Sequence, residues 1–500
     1  MEIFSSIAYA FQVATTPANL FWCAVGVVFG TLVGVLPGVG PTSGIAMLLP
    51  VTTLLPPTSG IIMLAGIYYG SQYGGSTTSI LVNIPGEVSS VPTCFDGYPL
   101  ARAGRAGEAL AIAAISSFVA GTLGLVGLTF FAPPLANLAF ALGLPEYFLL
   151  MVLALTIVIS LAGKSLVKGF IAAGLGLLTT CVGLDAISGK ARFSFGSSEL
   201  MSGLDFVAAS IGLFAISEIL VNAEKGISSV VAERVGRLYP SLSEVVRTLP
   251  SMLRSTMVGF FLGILPGVSP SITAFIAYDV EKRVSRHPER FGSGVIEGVA
   301  GPEGANNACT SSGFIPLMAF GIPPSPALAV LFGAFMMYGL QPGPVMFQQK
   351  PEIAWGLIAS MYIVNVMLLI LNLPLVRIWV KLLDIPYRIL SPLIVIFSFI
   401  GAFSLRNNFL DLWTSLVFGF IGYFMKKLDI PAAPMVLCLI LGSSLESMLR
   451  QSLTMSGGTL AVFVRGPLSV SLLIAICLSV GISLFQRTRI ARLGEKSESG

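Results

Sequence analysis

Two clusters of neutral hydrogen-bonding side chains sit inside otherwise apolar sequence. One is Gly75-Ser76-Thr77-Thr78, within the polar run 70–79; the other is Asn306-Asn307 with Thr310-Ser311-Ser312, just after Glu303. Hydroxyls and amides in such a setting suit a carboxylate held by neutral hydrogen bonds, while amide and carboxylate oxygens suit Na⁺. Each cluster follows a Leu-Pro-Gly phrase: Gly34-Val-Leu-Pro37-Gly38-Val-Gly40-Pro41-Thr42 and Gly263-Ile-Leu-Pro266-Gly267-Val-Ser269-Pro270-Ser271. Gly30 and Gly34 correspond to Gly259 and Gly263. Proline removes a backbone donor and glycine permits φ > 0, so both phrases interrupt a would-be membrane helix. Bare backbone at that depth is tolerated only where it faces protein or a water-filled cavity. The half-helix N-terminus that follows a break offers partial positive charge to an anion. A single copy reads as a plain kink, and small polar residues also serve close helix packing. Two copies at corresponding positions point to a transporter's binding site.

The candidate substrate-binding residues are therefore Gly38, Gly40, Thr42, Ser43, Gly75, Ser76, Thr77, Thr78, Gly267, Ser269, Ser271, Asn306, Asn307, Ser311 and Ser312. Asn83, Glu303, Asn306 and Thr310 are candidates for a coupling cation. Ionisable groups at membrane depth are functional candidates by default, and Glu303 ranks ahead of Glu87 and Glu218 for its polar setting.

The elements that must position these groups are membrane helices. Hydrophobic residues make up 55% of the 500-residue chain and charged ones only 10%, with a mean hydropathy of +0.89, which excludes a soluble globular protein. Apolar runs such as Ala354–Val376, Ser391–Leu405, Leu412–Met425, Met435–Met448 and Leu468–Phe485 approach the ~18–20 residues that cross a bilayer as a helix. The alternation of a transmembrane β-barrel is missing. The expectation is an all-α polytopic membrane protein of roughly 10–12 segments, with broken helices and re-entrant hairpins. It divides into two related halves, read as inverted repeats. Residues 1–221 form the first half and 222–250 a polar connector; 251–347 form the second repeat core and 348–500 the C-terminal helices with a basic tail.

The run 70–79 reads as a polar turn between a helix and a short second helix, that is, a hairpin, and the plan recurs after Gly301. From Pro37 to Pro85 is 48 residues and from Pro266 to Pro323 is 57, a difference assigned to the charged stretch around His287. Asp96 to Arg105 reads as a polar connection.

Other chemistry is poorly served. The six cysteines are scattered without metal-ligand spacing, and His287, the sole histidine, lies in a charged loop, so a His-based metal centre or a Ser-His-Asp triad is excluded. Nothing pairs two acids for hydrolysis. The net charge of +4 is spread over loops and does not suggest nucleic acid. Met1–Ala14 has no basic n-region and is not read as a cleaved signal. Arg487, Arg489, Arg492 and Lys496 in the tail place the C-terminus in the cytoplasm, with Arg450 and Arg465 outside as a small cost to the count.

Four long phrases carry a family resemblance: GVLPGVGPTSGIAMLLPVT (34–52), YYGSQYGGSTTSILVNIPGEVSSVPTCFDGYPLARAGRAGEAL (68–110), GILPGVSPSITAFIAYDVEKR (263–283) and GVAGPEGANNACTSSGFIPLMAFGIPPSPALAVLFGAFMMYGLQPGPVMF (298–347). They resemble the large membrane subunit of tripartite tricarboxylate transporters, the TctA family. The resemblance implies a multi-pass permease of the bacterial inner membrane. It also implies a small TctB-like membrane subunit and a periplasmic TctC-like binding protein as partners. Uptake of di- or tricarboxylates or related organic anions would be driven by a Na⁺ or H⁺ gradient, with no other cofactor. The family's motifs fall on Pro37-Gly38, Pro266-Gly267, Gly74–Ser76, and Pro302, Glu303, Asn306 and Asn307; Pro324 and Cys309-Thr-Ser-Ser312 depart from the usual pattern. The alternatives are a stand-alone ion-coupled carboxylate carrier and, in a different class, a membrane scaffold or enzyme subunit.

Overall fold

The computed structural model describes residues 2–36, 40–161, 165–185, 187–225, 239–382, 392, 395–396, 398–400, 402–403 and 406–481. Pro37 and Gly38 of the first break, connector residues 226–238, part of the span expected over Ser391–Leu405, and the basic tail with Arg487, Arg489, Arg492 and Lys496 lie outside the described residues. Helix dominates, and among the described residues the only strands are two of two residues each. Among the described residues five helices are long and apolar enough to cross a membrane, including Pro17–Val35, Pro351–Asn372 and Ala432–Met455. The chain is an all-α polytopic membrane protein.

The chain forms two compact units, one of Met1–Asn137 with Val207–Phe424, the other of Leu138–Phe206 with Met425–Gly500. The first unit opens with α1 (Glu2–Ala14), α2 (Pro17–Val35), α3 (Gly40–Thr52), α4 (Pro57–Val82), α5 (Val91–Leu100) and α6 (Ala106–Ala139). The second unit holds α7 (Leu144–Leu161), α8 (Leu166–Thr180), the hairpin β1 (Gly183–Leu184) and β2 (Ala191–Arg192), and α9 (Ser198–Met201). The first unit resumes with α10 (Phe206–Ser210), a π-helical stretch Ile211–Ile216 and α11 (Ser217–Lys225). It continues with α12 (Leu242–Gly263), α13 (Pro270–Val284), α14 (Glu297–Ser312), α15 (Phe314–Phe320), α16 (Pro326–Met337), α17 (Pro344–Gln349) and α18 (Pro351–Asn372). Proline opens α2, α4, α13, α16 and α18, where its missing N–H costs nothing and its fixed φ suits the first turn. α12 starts at a capping box between Ser241 and Glu244, so part of the stretch read as connector is helical.

Two helix pairs organise the first unit. A Cβ at Gly30 would stand 2.7 Å from the Cα of Ile67, and one at Gly34 2.9 Å from that of Ser71, so α2 and α4 touch backbone to backbone. The matching glycines of α12 do the same: Gly259 and Gly263 would place a Cβ 2.8 Å from the Cα atoms of Ala305 and Cys309 on α14. Membrane helices gain little from burying apolar area against each other, so such close approach supplies dispersion contact instead. The second Leu-Pro-Gly phrase does break the helix: α12 ends at Gly263, Gly267 has φ +85°, and α13 begins at Pro270. The loop 285–296, where the first half has only 53–56, accounts for most of the extra length between Pro266 and Pro323.

Two expectations are corrected. The run 70–79 is not a turn: α4 is one helix over 26 residues, and the chain reverses only after it, from Asn83 onward. Gly70 and Gly74 face α2 and Gly75 faces Glu87, each where a side chain would not fit, so packing overrides their turn preference. The stretch from Asp96 to Arg105 is not a polar connection but helix, with Asp96 fully buried.

Candidate functional site

All of α14 from Gly298 to Ser312 is buried, although it is rich in polar residues. Its centre is Glu303. Thr93 of α5 donates to Glu303 Oε1, whereas Oε2 has no hydrogen-bond partner. The hydroxyls of Ser76 (α4) and Ser117 (α6) lie beside this carboxylate, and Ser76 Oγ is itself unpartnered. One turn on, Asn307 Nδ2 donates to Ser117 Oγ at 2.8 Å and to the Glu303 carbonyl at 3.1 Å, leaving Asn307 Oδ1 free. Asn306 makes no side-chain hydrogen bond at either end. Buried polar atoms are normally paired, and each unpaired one costs ~1–3 kcal/mol. Here several gather where α4, α5, α6 and α14 meet. A small cavity, with room on the order of one water molecule, is lined by Tyr73, Ser76, Thr77, Ser117 and Asn372.

Other candidates are committed elsewhere. Thr78 Oγ1 and Ser79 Oγ donate to the Gly75 carbonyl on their own helix. Thr310 Oγ1 donates to the Asn306 carbonyl. Ser311 accepts from Tyr69 at 2.8 Å and lies within 3.2 Å of the Gly121 and Asn307 carbonyls, which ties α4 and α6 to α14. Ser312 Oγ is 3.4 Å from the Cys309 carbonyl, against Gly263. Asn83 is exposed at the left-handed end of α4.

Of the break residues, Gly40 has φ +68°, with open space where a Cβ would lie, and opens α3; Thr42 is half-buried and Ser43 buried. Gly267 donates its N–H to the Pro324 carbonyl at 3.1 Å. Ser269 precedes α13 without a capping bond, and Ser271 is half-buried in its first turn. The two polar clusters meet through Ser76 and Glu303, while among the described residues no hydrogen bond joins the break residues to that meeting point.

Glu87 ranked behind Glu303 in the sequence and Asp96 was not singled out there; the structure gives both acids defined partners. Glu87 is 8% exposed and caps the turn Val88–Ser90: the Ser89 N–H donates to Oε2 at 2.9 Å and the Ser89 hydroxyl to Oε1. A Cβ at Gly75 would lie 2.8 Å from Glu87 Cγ, so the Gly75-Ser76 step runs between Glu87 and Glu303. Among the described residues no basic side chain pairs with either acid. Asp96 of α5 takes the N–H groups of Gly292, Gly294 and Val295 on Oδ1 at 2.8–2.9 Å, and the Tyr278 hydroxyl on Oδ2 at 2.8 Å. It fixes the loop before α14 to the first half, where the sequence read only the start of a polar connection.

The second unit has its own charge cluster. Arg192 binds Glu446 through two nitrogens at 2.9 and 3.0 Å, and Arg450 reaches Asp185 at 2.7 Å and Glu446 at 3.0 Å. The Ser188 backbone N–H and the Arg450 guanidinium hold the Asp185 carboxyl well below the usual carboxylate range. Both acids of that cluster, Asp185 and Glu446, have basic partners. In the first unit Arg254 likewise forks onto buried Glu281, at 3.1 Å through Nε and 2.5 Å through Nη2. Such pairing is what Glu303 lacks.

Residues 20–437 match the Tripartite tricarboxylate transporter TctA family. The chain is 47% identical over 493 residues to the "Uncharacterized 52.8 kDa protein in TAR-I ttuC' 3'region" of Agrobacterium vitis, covering 98% of both chains. It is 47% identical over 215 residues to the "Uncharacterized protein in TAR-II ttuC' 3'region" of the same organism, covering 43% of this chain and 89% of that one. No solved structure matches. A membrane-spanning helical fold and a family match across most of its length lead to one assignment: the chain belongs to the TctA family, as a multi-pass membrane subunit of tripartite tricarboxylate transporters and not an enzyme.

Proposed function

We propose that this chain is the permease of a binding-protein-dependent secondary transporter, taking up di- or tricarboxylates or related organic anions by cation-coupled alternating access. It works in the bacterial inner membrane with its C-terminus in the cytoplasm, beside a small TctB-like membrane subunit and a periplasmic TctC-like binding protein. The two related halves act as inverted repeats around a midplane site. One observation carries this reading: the unpartnered polar atoms of Ser76, Glu303, Asn306 and Asn307, buried where helices of both halves meet. A structural polar network would satisfy itself; atoms left unpaired in a transporter subunit suit a solute that arrives with its own hydrogen-bonding groups. Hydroxyl and amide tips recognise carboxylate oxygens without fixing a permanent counter-charge, so the anion can leave again.

The test is uptake of labelled citrate and succinate into proteoliposomes holding the chain and its small subunit, with and without the binding protein. Uptake that needs the binding protein and an inward cation gradient supports the reading. Full-rate uptake without the binding protein replaces it with a stand-alone carrier, and no uptake of any organic anion rejects both.

A further inference from the structure

We propose that Ser76, Glu303, Asn306 and Asn307 form a site for one dehydrated monovalent cation of the Na⁺ class, and that this site must fill before an organic anion binds beside it. The inference rests on the transport reading above and assigns that site its ion and its binding order.

Glu87 and Glu303 make the comparison from which it follows. Both are at most 8% exposed, and among the described residues neither has a basic partner. Glu87 spends both oxygens on Ser89. Glu303 leaves Oε2 unpaired, and so do three neighbouring oxygens: Ser76 Oγ, Asn306 Oδ1 and Asn307 Oδ1. Residues three and four apart on a helix share a face, so Asn306 and Asn307 flank Glu303 on α14. Asn307 Nδ2 and the Glu303 carboxylate both come to Ser117, and the Ser76 hydroxyl approaches the same carboxylate from α4. Four acceptor oxygens, at most 4% exposed, are thus unpaired in one place.

Their chemistry selects the ligand. Hard oxygen donors favour alkali and alkaline-earth cations over softer metals. Only one donor is charged, so a monovalent ion neutralises the set, whereas a divalent ion would leave an excess charge buried. The adjoining cavity has room on the order of one water molecule, too little for a hydrated ion, so the protein oxygens must replace the hydration shell.

The order follows from electrostatics. An organic anion approaching Ser76 meets the Glu303 carboxylate, which has no basic partner among the described residues. Like charges at low dielectric repel strongly. A cation on Glu303 removes that repulsion and turns Asn306 so that Oδ1 faces the ion and Nδ2 is left to donate to the anion. Linkage then makes cation and anion raise each other's affinity.

The experiment uses the purified full-length chain in detergent, following thermal unfolding while NaCl replaces choline chloride at constant ionic strength, with KCl in parallel. Na⁺ is expected to raise the melting temperature saturably without any anion. Citrate should add a further rise only when Na⁺ is present. Glu303→Gln should abolish the Na⁺ response or shift it by at least about tenfold in concentration, since it removes the charged ligand. Should that variant fail to fold, Ser76→Ala and Asn307→Ala carry the same expectation. An equal rise with choline, a retained Na⁺ response in these variants, a dependence on pH in place of Na⁺, or citrate binding equally without Na⁺ overturns the proposal. Uptake is scored separately. A Na⁺ response without uptake of any organic anion leaves the cation site and rejects the transport reading; Na⁺-driven uptake without a Na⁺ response in unfolding puts the ion elsewhere.

Discussion

Asn83 and Gly321 hold the same left-handed backbone, with φ 57° and ψ 28° at one and φ 69° and ψ 26° at the other, each immediately before an Ile-Pro dipeptide that ends a buried helix. The spacing that relates them also relates Gly66 to Gly304 and Glu87 to Ser325. Glu87 caps the turn into α5 and Ser325 caps α16, so the correspondence of positions includes the caps that follow the two buried helices.

That conformation is easy for glycine and tolerable for asparagine, and costly for a branched side chain. Asn83→Gly should leave stability nearly unchanged. Asn83→Val and Gly321→Val should each lose about 1–2 kcal/mol or more, read as a lower thermal midpoint in detergent.

The glycine seams give a second prediction. Gly30→Leu and Gly259→Leu would drive a side chain into the backbone of the facing helix, where even a Cβ lies 2.7–2.8 Å from a Cα. Overpacking of ~1–3 kcal/mol or more should follow, and neither protein should elute as a single monodisperse species. Intact elution with a wild-type midpoint would mean that the helix pairs are not in such close contact.

Asp96 anchors three loop amides and a tyrosine hydroxyl. Bonds to an ionised group are worth ~1.5–3 kcal/mol each, so Asp96→Ala should destabilise by about 3 kcal/mol or more. Trypsin should then cut at Arg286 and Arg290 faster than in wild type, at a temperature where both proteins remain folded.

Within the polar helices the hydroxyls should separate by their bonding. Asn306→Ala and Asn307→Ala should lower uptake by about tenfold or more while the protein stays folded, because both ends of Asn306 and the Asn307 Oδ1 are left unpaired for a ligand. Thr78→Ala should change uptake by less than about twofold, since its hydroxyl is spent on its own helix. Initial rates against anion concentration measure both; equal losses in all three variants would remove the distinction.

The hairpin of the second unit should respond to acid. The Asp185 carboxyl is held below its ordinary value of 3.8, so it stays ionised in the folded chain when it would begin to protonate in the unfolded one. Its contribution is complete above that value and fades as pH falls below it. The difference in melting temperature between wild type and Asp185→Asn should therefore be constant near neutrality and shrink below about pH 4.

Much of this fold was legible in the sequence because its signals are local. Proline at first helical positions, capping serines and long apolar runs mark helix ends and spans, and the Gly30/Gly34 and Gly259/Gly263 pairs mark the two close helix contacts. What stayed hidden depends on distant contacts. The run 70–79 has the composition of a turn, yet it is helix whose Gly70 and Gly74 pack against α2 and whose Gly75 packs against Glu87. Asp96 has the neighbours of a surface residue and is buried by a loop nearly two hundred residues away. Glu303 was legible as a polar residue at membrane depth; that it lacks the partner given to Glu281 and Asp185 was not, since pairing is a property of the fold.

The unbroken course of α4 has a further consequence. Its peptide groups are used up in holding the helix, so a solute that reaches Ser76 and Thr77 finds no amide dipoles to lean on, only the tips of side chains. Recognition built that way is modular. Which anion the protein prefers should be rewritable by exchanging one hydroxyl or amide at a time, with the scaffold beneath left standing, and relatives with different cargoes should differ at these tips while keeping the glycine seam behind them.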